Sequence, residues 1–201
     1  MNTIVDFDDF SENYNSLDYL YQLKAKRPNF KVTLFVPPMK SSLPFLREVS
    51  SIKWIEMAIH GWEHTPIECT TWSRTEADQY IRTALDWGVF VKGFKAPQWA
   101  ITKDVYDVCR ENDIWVADNS HRGSAECKEI PRENKIYLTN GDDIVPGTKC
   151  NGSNEYNRIH GHISWWPGLD NDIRLLFHYI IDVTQEDTNF FFISEIIKKF
   201  Y

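Results

Sequence analysis

Short apolar runs alternate with amphipathic segments along most of the chain, the pattern of an α/β protein. Runs at 4–7, 31–36, 54–59, 91–94, 115–117, 156–162 and 190–193 predict strands, with a weaker one at 136–138. Helices are expected between them. The clearest begins at Ser73, where Ser-Arg-Thr-Glu through Glu76 forms a capping box; Ala77, Tyr80, Ile81, Ala84 and Leu85 follow at helical spacing and Gly88 stops it. Segments 16–27 (before Pro28), 102–112 and 171–180 read as further helices, each opened by a residue able to cap, and a short last helix starts near Ser194. These units in 201 residues predict one domain over 1–201, either a small distorted α/β barrel or a doubly wound sheet. Both architectures place sites where loops leave the carboxyl ends of strands.

Composition narrows the class. A chain of 201 residues with 42% hydrophobic residues can build a core without staples, which excludes disorder, collagen and small disulfide scaffolds. Twenty-two basic residues against 29 acidic ones give a net charge of −7, with no long basic run, so nucleic acid is not an expected partner. No apolar stretch approaches the roughly 20 residues of a membrane span, and no basic segment precedes an apolar one as in a secretory signal. A cytoplasmic or virus-encoded product is therefore expected. Cys69, Cys109, Cys127 and Cys150 show no Cys-x-x-Cys spacing and read as reduced thiols, and the sequon at Asn151 reads as idle.

The polar residues at the strand ends carry the candidate chemistry. The first strand runs into Asp8-Asp9, the third into His60 with His64 four residues on, the fourth into Lys95, the fifth into Asp118, and the late strand carries His160 and His162. Adjacent carboxylates at a strand end point in different directions, so one can ligate a metal while the other takes a proton; the bland alternative is a solvated turn. Asp6, Asp8 and Asp9 lack the glycine and distal glutamate of an EF-hand loop. His60 and His64 stand at metal-ligand spacing, against the alternative of two unrelated surface histidines. His60-Gly-Trp-Glu-His64 also matches the inverzincin protease pattern, but a strand leads into His60, Gly61 weakens a helix and Pro66 restricts Thr65. His160 and His162 share a strand face, suited to a general acid or base and a neighbour.

Taken in order, Phe7-Asp8-Asp9, His60-x-x-x-His64, Phe94-Lys95-Ala96-Pro97, Asp118 and Ile159-x-x-His162 resemble the motifs of the polysaccharide deacetylase (NodB-homology) family, and the terminal Phe-Phe-Ile-Ser-Glu resembles its last strand and helix start. The resemblance implies a single-domain distorted (β/α)7 barrel and a metal-dependent hydrolase that removes N-acetyl groups from a sugar or glycan. It casts Asp9, His60 and His64 as ligands of one divalent ion, Zn2+ with Co2+ or Ni2+ as alternatives. Asp8 becomes the general base, His162 (or His160) the general acid, and Asp118 the group tuning that histidine. Lys95 stands where the family carries the arginine that orients the base. Gly61 departs from the usual Ser or Thr, Phe10 from glycine, and Gln98-Trp99 from Tyr-Gly.

A nearby backbone N–H, that of Gln98, is the candidate oxyanion donor, and His160 a candidate substrate contact. Within the superfamily similar sites open cyclic imides and ureides such as allantoin. Lysine for arginine loses the planar fork that grips a carboxylate, so a silent carbohydrate-binding barrel is the alternative of a different class. Among eight tryptophans, Trp54, Trp87 and Trp115 read as core, whereas Trp62, Trp99, Trp165 and Trp166 fall in the motif loops and are expected to wall a sugar groove, Trp99 and Trp165 foremost.

Overall fold

The computed structural model describes residues 2–118, 135–137, 148–149, 156–163 and 173–200. Strands β1 (Asn2–Asp8), β2 (Val32–Val36), β3 (Ile55–His60), β4 (Gly93–Lys95), β5 (Trp115–Asp118), β6 (Lys135–Tyr137), β7 (Thr148–Lys149), β8 (Tyr156–His162) and β9 (Asn189–Phe191) interleave with helices. The helices are α1 (Leu17–Lys26), α2 (Leu43–Ser50), α3 (Arg74–Asp86), α4 (Lys103–Glu111), α5 (Ile173–Val183) and α6 (Ile193–Phe200). The sheet order is β6-β5-β4-β3-β2-β1-β8-β7, parallel except where β7 meets β8. β8 runs along one edge of β1; β9 and β2 share the other, β9 at residues 2–4 and β2 at Asp6 and Phe7.

Alternation along the strands decides between the two predicted architectures. Val5, Phe7, Val32, Leu34, Val36, Ile55, Met57 and Ile159 pack outward with Leu20, Leu23 and Leu46 of α1 and α2 and with Leu176 and Phe177 of α5. The alternate residues turn inward and include Asp6, Asp8, Thr33, Glu56, His60, Lys95, Arg158 and His160, all buried. A face this polar offers nothing to a second helix layer, so the doubly wound alternative fails. The sheet curls into a distorted (β/α)7 barrel whose interior holds Ile4, Phe35, Ala58, Trp115 and, from α6, Ile193 and Ile196.

The start of α6 is anchored inside that interior. The Ile193 N–H donates to Thr33 Oγ1 at 3.1 Å, the Ser194 N–H to Glu56 Oε1 at 3.3 Å, and the Ser194 hydroxyl to Glu56 Oε2. Thr33 donates to Glu56 Oε1 at 3.0 Å. A carboxylate at a helix N-terminus meets unpaired N–H groups and the positive end of the dipole.

Local signals held to different degrees. The capping box of Ser73 and Glu76 forms on α3, and Thr102 caps α4. Ser16 does not cap α1; it adopts a left-handed conformation, and Asn15 Oδ1 accepts from the Leu17 N–H instead. Helix α2, capped by Ser42 with Pro44 in its first turn, lies where the hydrophobic pattern predicts no element. The strand predicted at 190–193 ends at Phe191, since Ile193 already begins α6. Cys69 and Cys109 are buried free thiols; Cys127 and Cys150 lie outside the described residues. Among the described residues no helix is long and apolar enough to cross a membrane.

Gly93 shows how tightly the lumen is filled. A Cβ there would lie 2.1 Å from the Trp115 ring. Gly93→Ala is expected to cost about 1–3 kcal/mol through overpacking, read as a Tm lowered by several degrees in tryptophan-fluorescence melting. An unchanged Tm would show that Trp115 does not lie across β4.

Candidate active site

Five of the residues singled out in the sequence are each the last residue of a strand: Asp8 of β1, His60 of β3, Lys95 of β4, Asp118 of β5 and His162 of β8. Parallel strands bring these ends to one rim, where the register sets Asp8 beside His162 and His60 beside Lys95. The side chain of Asp118 falls outside the described residues, as do Trp165 and Trp166.

At the rim, Asp9 Oδ1 lies 2.8 Å from His64 Nε2 and 3.4 Å from His60 Nε2. One ligand atom from each of the three residues falls within 4.8 Å of the others. His60 Nδ1 donates to the Lys95 carbonyl at 2.9 Å, which turns Nε2 toward Asp9 as a lone pair. Asp9 Oδ1 is buried and has no hydrogen-bond partner. Two imidazole nitrogens and an unpartnered carboxylate oxygen converging on one point fit a divalent cation, and three protein ligands leave positions open, as in catalytic rather than structural sites. Two of the three residues carry backbone strain, with φ of 65° at Asp9 and 59° at His64. Burial opposes ionisation of Asp9, but the facing imidazoles outweigh it and hold its pKa well below the carboxylate range. Burial likewise opposes protonation of His64, and Asp9 beside it prevails, raising that pKa.

The loop that presents His64 is organised by Glu68, which the sequence did not reveal. Its carboxylate is buried and accepts from the N–H groups of Trp62 (2.8 Å), Glu63 (3.1 Å) and His64 (3.0 Å). Gly61, at φ 65°, leaves the room this requires, since a Cβ would stand 1.9 Å from Glu68 Oε1. Gly61 thus goes together with a buried glutamate seven residues on.

Beneath the rim lies a second group. Asp8 Oδ2 accepts from Lys95 Nζ at 2.5 Å, and Lys95 is 1% exposed. Its ammonium is 3.4 Å from His160 Nε2, and His160 Nδ1 is 2.7 Å from Asp6 Oδ2. Arg158 grips Asp6 through Nε at 2.6 Å and Nη2 at 2.7 Å. Asp6, Asp8 and His160 also lie at metal-ligand separations, but the two cations already neutralise both carboxylates. Burial raises the pKa of Asp8; Lys95 foremost, then His160, His60 and His162, more than offset this and bring it down to about 2. Its second oxygen, Oδ1, is buried without a hydrogen-bond partner.

Several expected substrate contacts are placed elsewhere. His160 is 7% exposed with both nitrogens facing protein groups, so it supports Lys95 rather than lining a groove. Trp99 is also 7% exposed, and its ring covers the Lys95 ammonium at 3.9 Å. Trp62 stacks on Tyr80, with centroids 5.1 Å apart, and packs against the α3–α4 side of the core. Of the expected core tryptophans, Trp115 is buried and Trp54 and Trp87 pack partly buried against the helix layer. Gln98 is exposed at the rim in a left-handed conformation, φ 54°. His162 is partly exposed, its Nε2 3.9 Å from Asp9 Oδ2.

The barrel topology places the fold: the chain has the fold of the family 4 (CE4) carbohydrate esterases and polysaccharide deacetylases. Three solved structures illustrate it. One is a family 4 acetyl xylan esterase from Clostridium thermocellum in complex with a cobalt ion, 15% identical over 99% of this chain and 91% of that one, TM-score 0.66. Another is the peptidoglycan deacetylase PdaC from Bacillus subtilis, 14% identical over 98% and 89%, TM-score 0.58. A third is a CE4 family pseudoenzyme from Bacillus anthracis, 13% identical over 97% and 64%, TM-score 0.61. At these identities the likeness is one of fold. No protein-family model and no curated protein matches the sequence.

Two expectations follow from the geometry. Glu68→Ala should weaken Co2+ binding by about 10- to 100-fold in calorimetry while Asp9 and His60 remain, because His64 loses its backbone template; unchanged affinity would contradict that role. Burial foremost, then the Lys95 and Arg158 charges, lower the His160 pKa from its ordinary 6.5 to about 4 against the pull of Asp6 and Asp8. Between those values the unfolded chain binds the proton and the folded protein does not. This contribution is therefore intact above pH 6.5 and lost as pH falls toward 4. From pH 7 to pH 5 it amounts to about 2 kcal/mol. Urea midpoints should fall more steeply with acidification in the wild type than in His160→Gln; parallel slopes would show that His160 is not buried neutral.

Proposed function

We propose that this protein is a divalent-metal-dependent hydrolase that removes N-acetyl groups from an N-acetylated sugar or glycan. The observation that carries the reading is two buried, unpartnered carboxylate oxygens on adjacent residues, Asp9 Oδ1 facing two imidazoles and Asp8 Oδ1 on the residue before it. Asp9, His60 and His64 would hold the ion, with Zn2+ the first candidate and Co2+ or Ni2+ as alternatives; a cobalt ion is present in the C. thermocellum esterase. When bound, the ion supplies Lewis acidity that polarises the amide carbonyl and acidifies water.

Asp8, ionised across the working pH range with Oδ2 held by Lys95, accepts the proton of the attacking water on Oδ1. Gln98, exposed at the same rim, offers its N–H to the developing oxyanion. His162 donates a proton to the departing amine, which would otherwise leave as an unfavourable anion, and Asp118 tunes that histidine. Trp165 is the remaining candidate for stacking on the sugar. Cyclic imides and ureides are the second substrate class, since the same constellation suits any C–N bond beside a carbonyl.

Acetate release from N-acetylglucosamine oligomers, with allantoin in parallel, tests the reading. Asp8→Asn and His64→Ala are each expected to lower kcat/KM by at least about 100-fold. Chelation should abolish wild-type turnover, and Zn2+ or Co2+ should restore it. Full activity after stripping or in Asp8→Asn sinks the proposal, and glycan binding without turnover of any substrate marks the silent barrel.

A further inference from the structure

Lysine at position 95 has one compact charge where an arginine would have two parallel N–H donors, so something else must fix its direction. The structure shows four groups around the ammonium: the Asp8 carboxylate at 2.5 Å, His160 Nε2 at 3.4 Å, the Trp99 ring at 3.9 Å and the Phe35 ring at 5.0 Å. A carboxylate only accepts, so the Asp6 contact requires hydrogen on His160 Nδ1 and leaves Nε2 as a lone pair facing Lys95. Arg158 in turn holds both oxygens of Asp6, so the carboxylate cannot swing away from the imidazole. The resulting chain, Arg158–Asp6–His160–Lys95–Asp8, alternates donors and acceptors and carries two positive and two negative charges around a neutral imidazole.

We infer that His160, Asp6, Arg158 and Trp99 are positioning residues that make Lys95 serve in place of an arginine, fixing one oxygen of Asp8 and leaving the other free. The consequence runs against the family pattern. Lys95→Arg does not improve the site; the larger guanidinium has no room under Trp99 and disrupts the chain.

The spectroscopic arm stands by itself, whereas the kinetic arm rests on the hydrolase reading. Imidazole 15N spectra of the wild type should show His160 with hydrogen on Nδ1 and a bare Nε2. Spectra selective for lysine ammonium groups should show one slowly exchanging signal that disappears in Lys95→Met, persists in His160→Gln and is lost in His160→Leu. Glutamine keeps a donor for Asp6 and an acceptor for Lys95, so it also controls for misfolding. In turnover, His160→Leu should lower kcat about 100-fold with KM and Co2+ affinity little changed, and His160→Gln should recover most of it. Lys95→Arg should lower kcat at least about tenfold. Hydrogen on Nε2 of His160, or an ammonium signal indifferent to His160→Leu, overturns the inference whatever the activity. So does a Lys95→Arg protein as active as the wild type. The expected spectra with no wild-type turnover would instead count against the hydrolase reading and leave the positioning chain standing.

Discussion

A barrel interior that holds the Asp6 and Asp8 carboxylates, an ammonium and a guanidinium away from water must neutralise them, and the way it does so governs the rest of this structure. Isolated charges there would cost several kcal/mol each, whereas a chain of hydrogen-bonded opposite charges is tolerated. Asp6 and Asp8 from β1, Arg158 and His160 from β8, and Lys95 from β4 form that chain because β1 and β8 run in register, Asp6 beside His160 and Asp8 beside His162. A one-residue slip of either strand would turn these side chains outward into the helix layer. The chemistry of the lumen and the pairing of the strands therefore specify each other.

The rim above the chain follows a different logic. The candidate ligand residues Asp9 and His64 are strained loop positions, and Gln98 and Trp99 on the neighbouring loop are likewise at positive φ. Such conformations persist only when the surroundings over-determine them. Glu68 provides this for His64 by accepting three consecutive N–H groups, and Gly61 makes room for its carboxylate. His60 links the two layers, its ring fixed by the carbonyl of Lys95 while its other nitrogen faces Asp9. Asp8 is divided in a similar way, one oxygen held by Lys95 and the other buried without a hydrogen-bond partner.

Much of this was legible in the chain. Apolar runs located the strands, the Ser73 capping box located α3, and the rule that sites form at carboxyl ends of parallel strands selected Asp8, His60, Lys95 and His162 before any geometry was known. Three things escaped. Glu68 has no local signature, because its partners are backbone groups brought round by a turn. Trp62 and Trp99 sit in loop sequence, yet one packs on Tyr80 and the other covers a charge, and loop position alone does not separate packing from binding. The signal for the inner chain is present in the sequence but was read only as far as the shared face of His160 and His162. Asp6 and Asp8, and Arg158, His160 and His162, recur at period two in strands buried on both faces, which marks one side as a polar lumen.

The proposed division of labour has Asp9, His60 and His64 take a metal ion, while the charged chain beneath them excludes one. X-ray absorption of protein loaded with one equivalent of Co2+ separates these directly. Two imidazoles are expected on the ion in the wild type, still two in His160→Gln, and one in His64→Ala. A shell with one imidazole in the wild type, lost in His160→Gln and kept in His64→Ala, would place the ion in the lower group and contradict that division.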